Sequence, residues 1–392
     1  MKRSRILSLV LALALSFSML GMLSACGDQT SEPTDSIKIG VITPLTGDVA
    51  VYGIAVQNAV QLYTDKINEA GGINGKQVDL IIYDDKGSAT EALNAYNRLV
   101  SSDKVVAIIG PTTSDPTFGV AQNSVEDNIP CITGTATHPD VTTYGNNFFR
   151  ACYTDPTQGG TVANFAKDEL NATTAAIIYN SSDPYSTGLK DAFEATAEEN
   201  GLTIVATEGY SKGDQDFNAQ LTTIMNRDPD VLFIPDYYNN AYMICTQARR
   251  AGFTGTFLGV DGTDGVLEIE GADVSVFEGM CYPNHYFSGD PDELVQTFCS
   301  DYEAAYGRVP NALAAVGYDA AMILYDSIAR AEAAGTTIDN SPEARQAIID
   351  AMEQTDLDCV TGHITFDENH NPIKPVTIIE IVNGQTTFKG RY

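Results

Sequence analysis

Val105-Val106-Ala107-Ile108-Ile109-Gly110-Pro111-Thr112-Thr113-Ser114-Asp115-Pro116-Thr117 is the stretch from which the rest of the chain is read. Its five consecutive apolar residues suit a strand covered on both faces, and Gly110-Pro111 ends that strand. Ser114, as a capping side chain ahead of Pro116, then opens a helix. Free amides at such a helix start, with the hydroxyls of Thr113 and Ser114 beside them, suit a small carboxylate.

Working outward, the pattern from Ser36 alternates strand and helix with short connections, as a parallel sheet wrapped by helices requires. Ile37–Ile42 reads as a strand, 43–52 as a loop that includes Tyr52, and Gly53–Glu69 as a helix with Val56, Val60, Tyr63 and Ile67 on one face. Val78–Tyr83 is the next strand and ends on Asp84-Asp85, a pair read as a solvated strand end. The series restarts near Asn147–Arg150, with strands around Ala175–Tyr179, Thr203–Ala206, Val231–Ile234 and Thr256–Gly259. Two similar lobes follow from this repetition. In the tail, Gly362–Phe366 and Val376–Val382 are expected to pair as an antiparallel hairpin around residues 367–371.

The 392-residue chain carries a formal net charge of −30, which opposes any phosphate backbone and excludes a nucleic-acid partner. Lys2, Arg3 and Arg5 precede the apolar run Ile6–Leu23 and then Ser24-Ala25-Cys26, the form of an export signal with a lipidated cysteine. Residues 1–25 are therefore expected to be a lipoprotein signal peptide and 26–36 a flexible tether. Acylated Cys26 would hold the protein to the outer face of the cell membrane. No other stretch is expected to span a membrane. The remaining six cysteines include no Cys-x-x-Cys pair and are expected as buried thiols, although Cys281 and Cys299 lie close in sequence.

No enzyme template fits. The chain has no Gly-x-Ser-x-Gly, Gly-x-Gly-x-x-Gly, phosphate-loop or His-Glu-x-x-His motif, and His138, His285, His363 and His370 read as surface residues. Neither a metal nor a cofactor is expected. A second hydroxyl loop, Thr135-Ala136-Thr137, follows the strand 131–133 and would converge with Ser114 if the strands are neighbours. Asp261 lies just past a strand of the second lobe, where its carboxylate could pair with a ligand ammonium. Tyr185 and Tyr237 follow strands of that lobe too, and suit aromatic packing at the sheet edge.

Ile39-Gly40-Val41 with Pro44-Leu45-Thr46-Gly47, Asn68-Glu69-Ala70-Gly71-Gly72-Ile73-Asn74-Gly75, Tyr83-Asp84-Asp85, Ile109-Gly110-Pro111 with Ser114, and Arg150 with Asp155, Gln158 and Gly159 together resemble the leucine/isoleucine/valine-binding proteins of branched-chain amino acid ABC importers. The resemblance spans nearly all of the mature chain. It implies an α/β fold of the type I periplasmic binding protein, with two doubly wound parallel-sheet lobes joined by a three-crossing hinge. Lobe 1 would take residues 37–152 and 283–359, and lobe 2 residues 153–282 and 360–392.

The resemblance also implies a ligand site. Ser114, its loop amides and the Thr135 N–H would hold an α-carboxylate, and Thr137 and Asp261 would accept from an α-ammonium. Tyr52, Tyr185 and Tyr237 would border the side-chain pocket. Members often carry glutamate where Asp261 stands and tryptophan where Tyr52 stands. The function implied is capture of a small amino acid, branched-chain or otherwise apolar, for delivery to the membrane subunits of an ABC permease. A binder of amides, urea or aromatic acids on the same fold is the alternative. So is a ligand-sensing ectodomain.

Overall fold

A computed structural model describes residues 36–392. The expected signal peptide, Cys26 and most of the tether lie outside the described residues.

The first sheet runs in the order β2-β1-β3-β4-β5, all parallel, with β1 Ile37–Thr43, β2 Val78–Asp84, β3 Ala107–Ile109, β4 Cys131–Thr133 and β5 Phe148–Arg150. Helices α1 Ala50–Glu69, α2 Ala89–Arg98 and α3 Ser114–Asp127 connect its strands. Every residue of β3 is buried, as its unbroken apolar run requires. The second sheet repeats this order as β7-β6-β8-β9-β10 and adds two antiparallel strands beyond β10. Its strands are β6 Thr174–Asn180, β7 Thr203–Tyr210, β8 Val231–Phe233, β9 Thr256–Leu258 and β10 Cys281–Asn284. The helices that wrap it are α4 Asp155–Asp168, α5 Pro184–Asn200, α6 Asn218–Met225 and α7 Tyr238–Arg250.

Three more helices follow, α8 Glu293–Tyr306, α9 Ala312–Ala333 and α10 Pro342–Glu353. Both α8 and α9 pack on α1, so the chain returns to the first lobe after β10. It then runs through β11 Asp356–Cys359 and β12 Gly362–Thr365 to β13 Thr377–Val382 and β14 Gln385–Arg391 in the second sheet. Three crossings therefore join the lobes.

Register brings the functional loops together. Val41 stands opposite Ile109, and Ile109 opposite Ile132, so the loops after β1, β3 and β4 leave the first sheet along one edge. Ile177 opposite Phe233, and Phe233 opposite Leu258, do the same for the loops after β6, β8 and β9. Ligands of open α/β sheets bind outside such carboxyl ends, at the point where strand order reverses.

The tail differs from the expected hairpin. β12 pairs with β11, while β13 pairs with β10 and β14, so the two segments expected to join never form a ladder. Of the two hairpins that do form, β13–β14 turns on Asn383-Gly384, both at positive φ (52° and 71°), which is a strong two-residue hairpin signal.

Helix α1 begins at Ala50, so Tyr52 stands on its first turn and not in a loop. Contrary to expectation, α9 is long and apolar enough to cross a membrane by length and composition, but 83% of its apolar window is buried inside the protein, as in a core helix. All six cysteines among the described residues are free, and Cys299 alone is partly exposed.

Candidate functional site

The strand end at Gly110 can only be glycine. Its φ is +106°, and an added Cβ would lie 2.1 Å from the Ile42 carbonyl oxygen. Beyond it the structure moves the cap by one residue: Thr113 is the N-cap of α3, without a side-chain capping bond, and Ser114 is the first helical residue. The Ser114 Oγ instead accepts from the His138 N–H at 3.3 Å. No capping side chain therefore occupies the first amides of α3, which keep the anion-attracting character of a helix start.

The second hydroxyl loop is tied to the first. Thr133 Oγ1 donates to Pro111 O (2.7 Å) and accepts from the N–H groups of Thr135 (3.2 Å) and Ala136 (3.0 Å), while Thr135 Oγ1 donates to Thr112 O. The Thr135 N–H expected to face a carboxylate is engaged by Thr133 in this conformation. Arg150, wholly buried, holds the same loop through Ala136 O (3.2 Å), Pro139 O (2.9 Å) and Thr142 Oγ1 (3.2 Å).

Across the cleft, Asp261 is buried at the carboxyl edge of the second sheet. Its Oδ1 accepts from Tyr185 Oη (2.5 Å) and from the Gly262 N–H (2.9 Å), and Oδ2 lies 3.2 Å from His285 Nε2. The Asp261 N–H donates to Gln158 Oε1 at 3.1 Å. Tyr185 stacks on Tyr237 with centroids 4.8 Å apart and planes 2° from parallel, and Tyr52 meets Tyr237 edge-on at 5.9 Å.

One cavity gathers these groups. Tyr52, Ser114, Thr135, Tyr185, Tyr237 and Asp261 all line it, together with Thr112, Thr113, Gly262 and Leu313. Its volume is only about 20 Å³, room for about one water molecule. Ligand pockets commonly start near 300 Å³, so the cavity is collapsed in this conformation, and a ligand could enter only if the lobes part. A larger opening of about 540 Å³ adjoins it, shares Thr113 and Tyr237 with it, and is lined from both lobes by Asp48, Lys86, Asp183 and Lys212.

Thr137 is the expected site residue that does not line the cavity. Its hydroxyl is buried with no hydrogen-bond partner among the described residues, and its carbonyl accepts from the Asp155 N–H at 3.0 Å. Asp155 is itself fully buried, and burial pushes its carboxyl up to about 8.

The structure buries one acid and one histidine that the sequence suggests are solvated. Asp85 is buried and desolvation pushes it up to about 7, while Asp84 organises the Leu45-Thr46 loop by accepting from both amides (2.8 and 3.4 Å). His285 is 1% exposed, stacked on Tyr153 at 4.0 Å, and burial pushes its pKa down to about 4. The available signal was its position just past a strand that the second lobe needs.

A family model described as periplasmic binding protein matches residues 36–386. The Leu/Ile/Val-binding protein BraC3 of Rhizobium johnstonii is 35% identical over 227 residues, covering 58% of this chain and 61% of its own length, so the match takes in less than two thirds of that relative. Among solved structures, a leucine-binding protein LivK from Thermotoga maritima superposes with a TM-score of 0.83 at 33% identity, covering 91% of this chain and 98% of its own. The branched-chain amino acid transporter substrate-binding protein LivJ from Streptococcus pneumoniae, in complex with isoleucine, also gives 0.83, at 29% identity, covering 91% and 100%.

Proposed function

The chain belongs to the periplasmic binding protein family, and we propose that it captures a small apolar amino acid between its lobes and delivers it to an ABC importer. One observation carries this reading: an uncapped helix start at Thr113-Ser114 and a carboxylate at Asp261 line one small cavity from opposite lobes, with Tyr52, Tyr185, Tyr237 and Leu313 between them. The α-carboxylate would lie against the Ser114 hydroxyl and the first amides of α3, the α-ammonium against Asp261, and an aliphatic side chain against the aromatic rings and Leu313. Relatives named for leucine, isoleucine and valine, and a neighbour with isoleucine bound, support this choice of side chain.

The molecule acts as a binder whose lobes close on the ligand, and no step of bond making is assigned to it. Members of this family work outside the cytoplasm, in keeping with the export signal read at residues 2–26. Anchoring through Cys26, partnership with permease membrane subunits, and lobes divided as 37–152 with 283–359 and 153–282 with 360–392 are part of the same proposal.

A thermal-shift screen of the twenty amino acids with urea, small amides and benzoate tests it. Aliphatic amino acids should raise the unfolding midpoint, because a ligand that binds only the folded state stabilises it. A rise confined to urea, amides or benzoate would overturn the amino-acid reading.

A further inference from the structure

Asp261 is held from two directions. The Oδ1 atom is fixed within the second lobe by Tyr185 and the Gly262 N–H. The Oδ2 atom is met by His285, which stands immediately after β10 on the second crossing between lobes. The imidazole stacks on Tyr153, three residues after β5 on the first crossing, at 4.0 Å and 29° between planes. The backbone N–H of His285 donates to Asn284 Oδ1 at 2.9 Å, which fixes the ring's root. With the side chain wholly enclosed, the ring has no room to leave the carboxylate without moving a hinge segment.

We propose that His285 is a positioning residue for the ammonium half of the ligand site: it donates Nε2–H to Asp261 Oδ2 and thereby ties the carboxylate that receives the ligand's ammonium to the hinge. The inference rests on the amino-acid reading of the cavity. Burial keeps His285 neutral at working pH, with its pKa pushed down to about 4, so the imidazole acts as a single-proton donor and adds no rival cation beside Asp261. Its Nδ1 carries the lone pair and has no partner among the described residues, where the Asp261 bond is the one side-chain hydrogen bond the ring makes. A carboxylate gripped at both oxygens keeps its remaining lone pairs aimed at one point, and such preorganisation raises affinity without a new ligand contact. Because His285 and Tyr153 stand on two crossings, rotation of the lobes reorients that point, so the ammonium site is complete only at the closed hinge angle.

The test uses His285→Phe, which keeps a ring to stack on Tyr153 and removes the donor, and His285→Gln, which restores an N–H donor without titrating. Leucine and 4-methylpentanoate, which lacks the ammonium, are each titrated calorimetrically into wild type and both variants. The Phe variant should bind leucine about tenfold more weakly or worse, the size of one hydrogen bond to a charged group, with its affinity for 4-methylpentanoate unchanged. The Gln variant should recover most of the leucine affinity. Equal weakening of both ligands, or leucine binding untouched by the Phe variant, overturns the inference. If the Phe variant does not fold, His285→Met against His285→Gln supplies the same contrast of no donor and donor. Wild type that binds neither leucine nor any other amino acid overturns the amino-acid reading itself, and that result is seen before any variant is measured.

Discussion

Tyr52, on the first turn of a first-lobe helix, donates its hydroxyl to the carbonyl of Gly262 in the second lobe and accepts from the Tyr238 N–H at 3.0 Å. This side chain thus bridges the two lobes beside the cavity. Tyr52→Phe keeps the edge-on packing against Tyr237 and removes both bonds. Leucine affinity should fall by about three- to tenfold, the size of one or two net hydrogen bonds. Small-angle scattering of the ligand-free variant should show a larger radius of gyration than wild type. An unchanged radius and affinity would show that the bridge does not bias closure.

Gly262 is placed for a second test. A Cβ there would stand 2.7 Å from Tyr185 Oη and 3.2 Å from the Asp236 carbonyl oxygen. Gly262→Ala should push the Tyr185 hydroxyl away from Asp261 and lower leucine affinity at least tenfold, while the unfolding midpoint moves by only a few degrees. Calorimetric titration alongside a melting curve separates the two effects. Full affinity would mean that the Tyr185–Asp261 bond is not needed for binding.

The loop residues were legible because chemistry marks the ends of strands. Gly110-Pro111 with Ser114, Thr135 and Asp261 each follow an apolar run, and register then aligns those runs at one edge. The position of Ser114 was off by one because Thr113 takes the capping conformation without using its side chain, so nothing in composition distinguishes the two. His285 and Asp155 were not legible as buried groups. Their burial comes from β10 and α4 meeting at the hinge, a contact between segments over a hundred residues apart. The tail is not legible from the sequence because β11 is polar on its exposed face and resembles a loop, while Asn383-Gly384, the stronger turn, lies just beyond Val376–Val382.

Stability should fall as the medium becomes alkaline. Burial pushes Asp236 up to about 8, and its carboxyl is also raised by the neighbouring charge of Asp183. A carboxyl raised above its unfolded value near 4 contributes stability that is complete below that value and is lost as pH rises through about 8. Asp236→Asn removes the titration and keeps an acceptor for the Tyr237 N–H. The melting temperature of the variant should therefore gain on wild type from pH 5 to pH 8.5. Parallel curves would show that Asp236 does not titrate in this range.

The account stands or falls on a zwitterion held by both lobes. In calorimetric titrations, leucine should bind wild type with a Kd on the order of 1 μM, about −8 kcal/mol. Two analogues, 4-methylpentanoate without the ammonium and 3-methylbutylamine without the carboxylate, should each bind about 100-fold more weakly, since each leaves a buried polar group of the site unpaired. Asp261→Asn should lose roughly 2–5 kcal/mol toward leucine and bind it no better than 4-methylpentanoate. Either analogue binding wild type as tightly as leucine, or Asp261→Asn keeping full leucine affinity, would contradict the account.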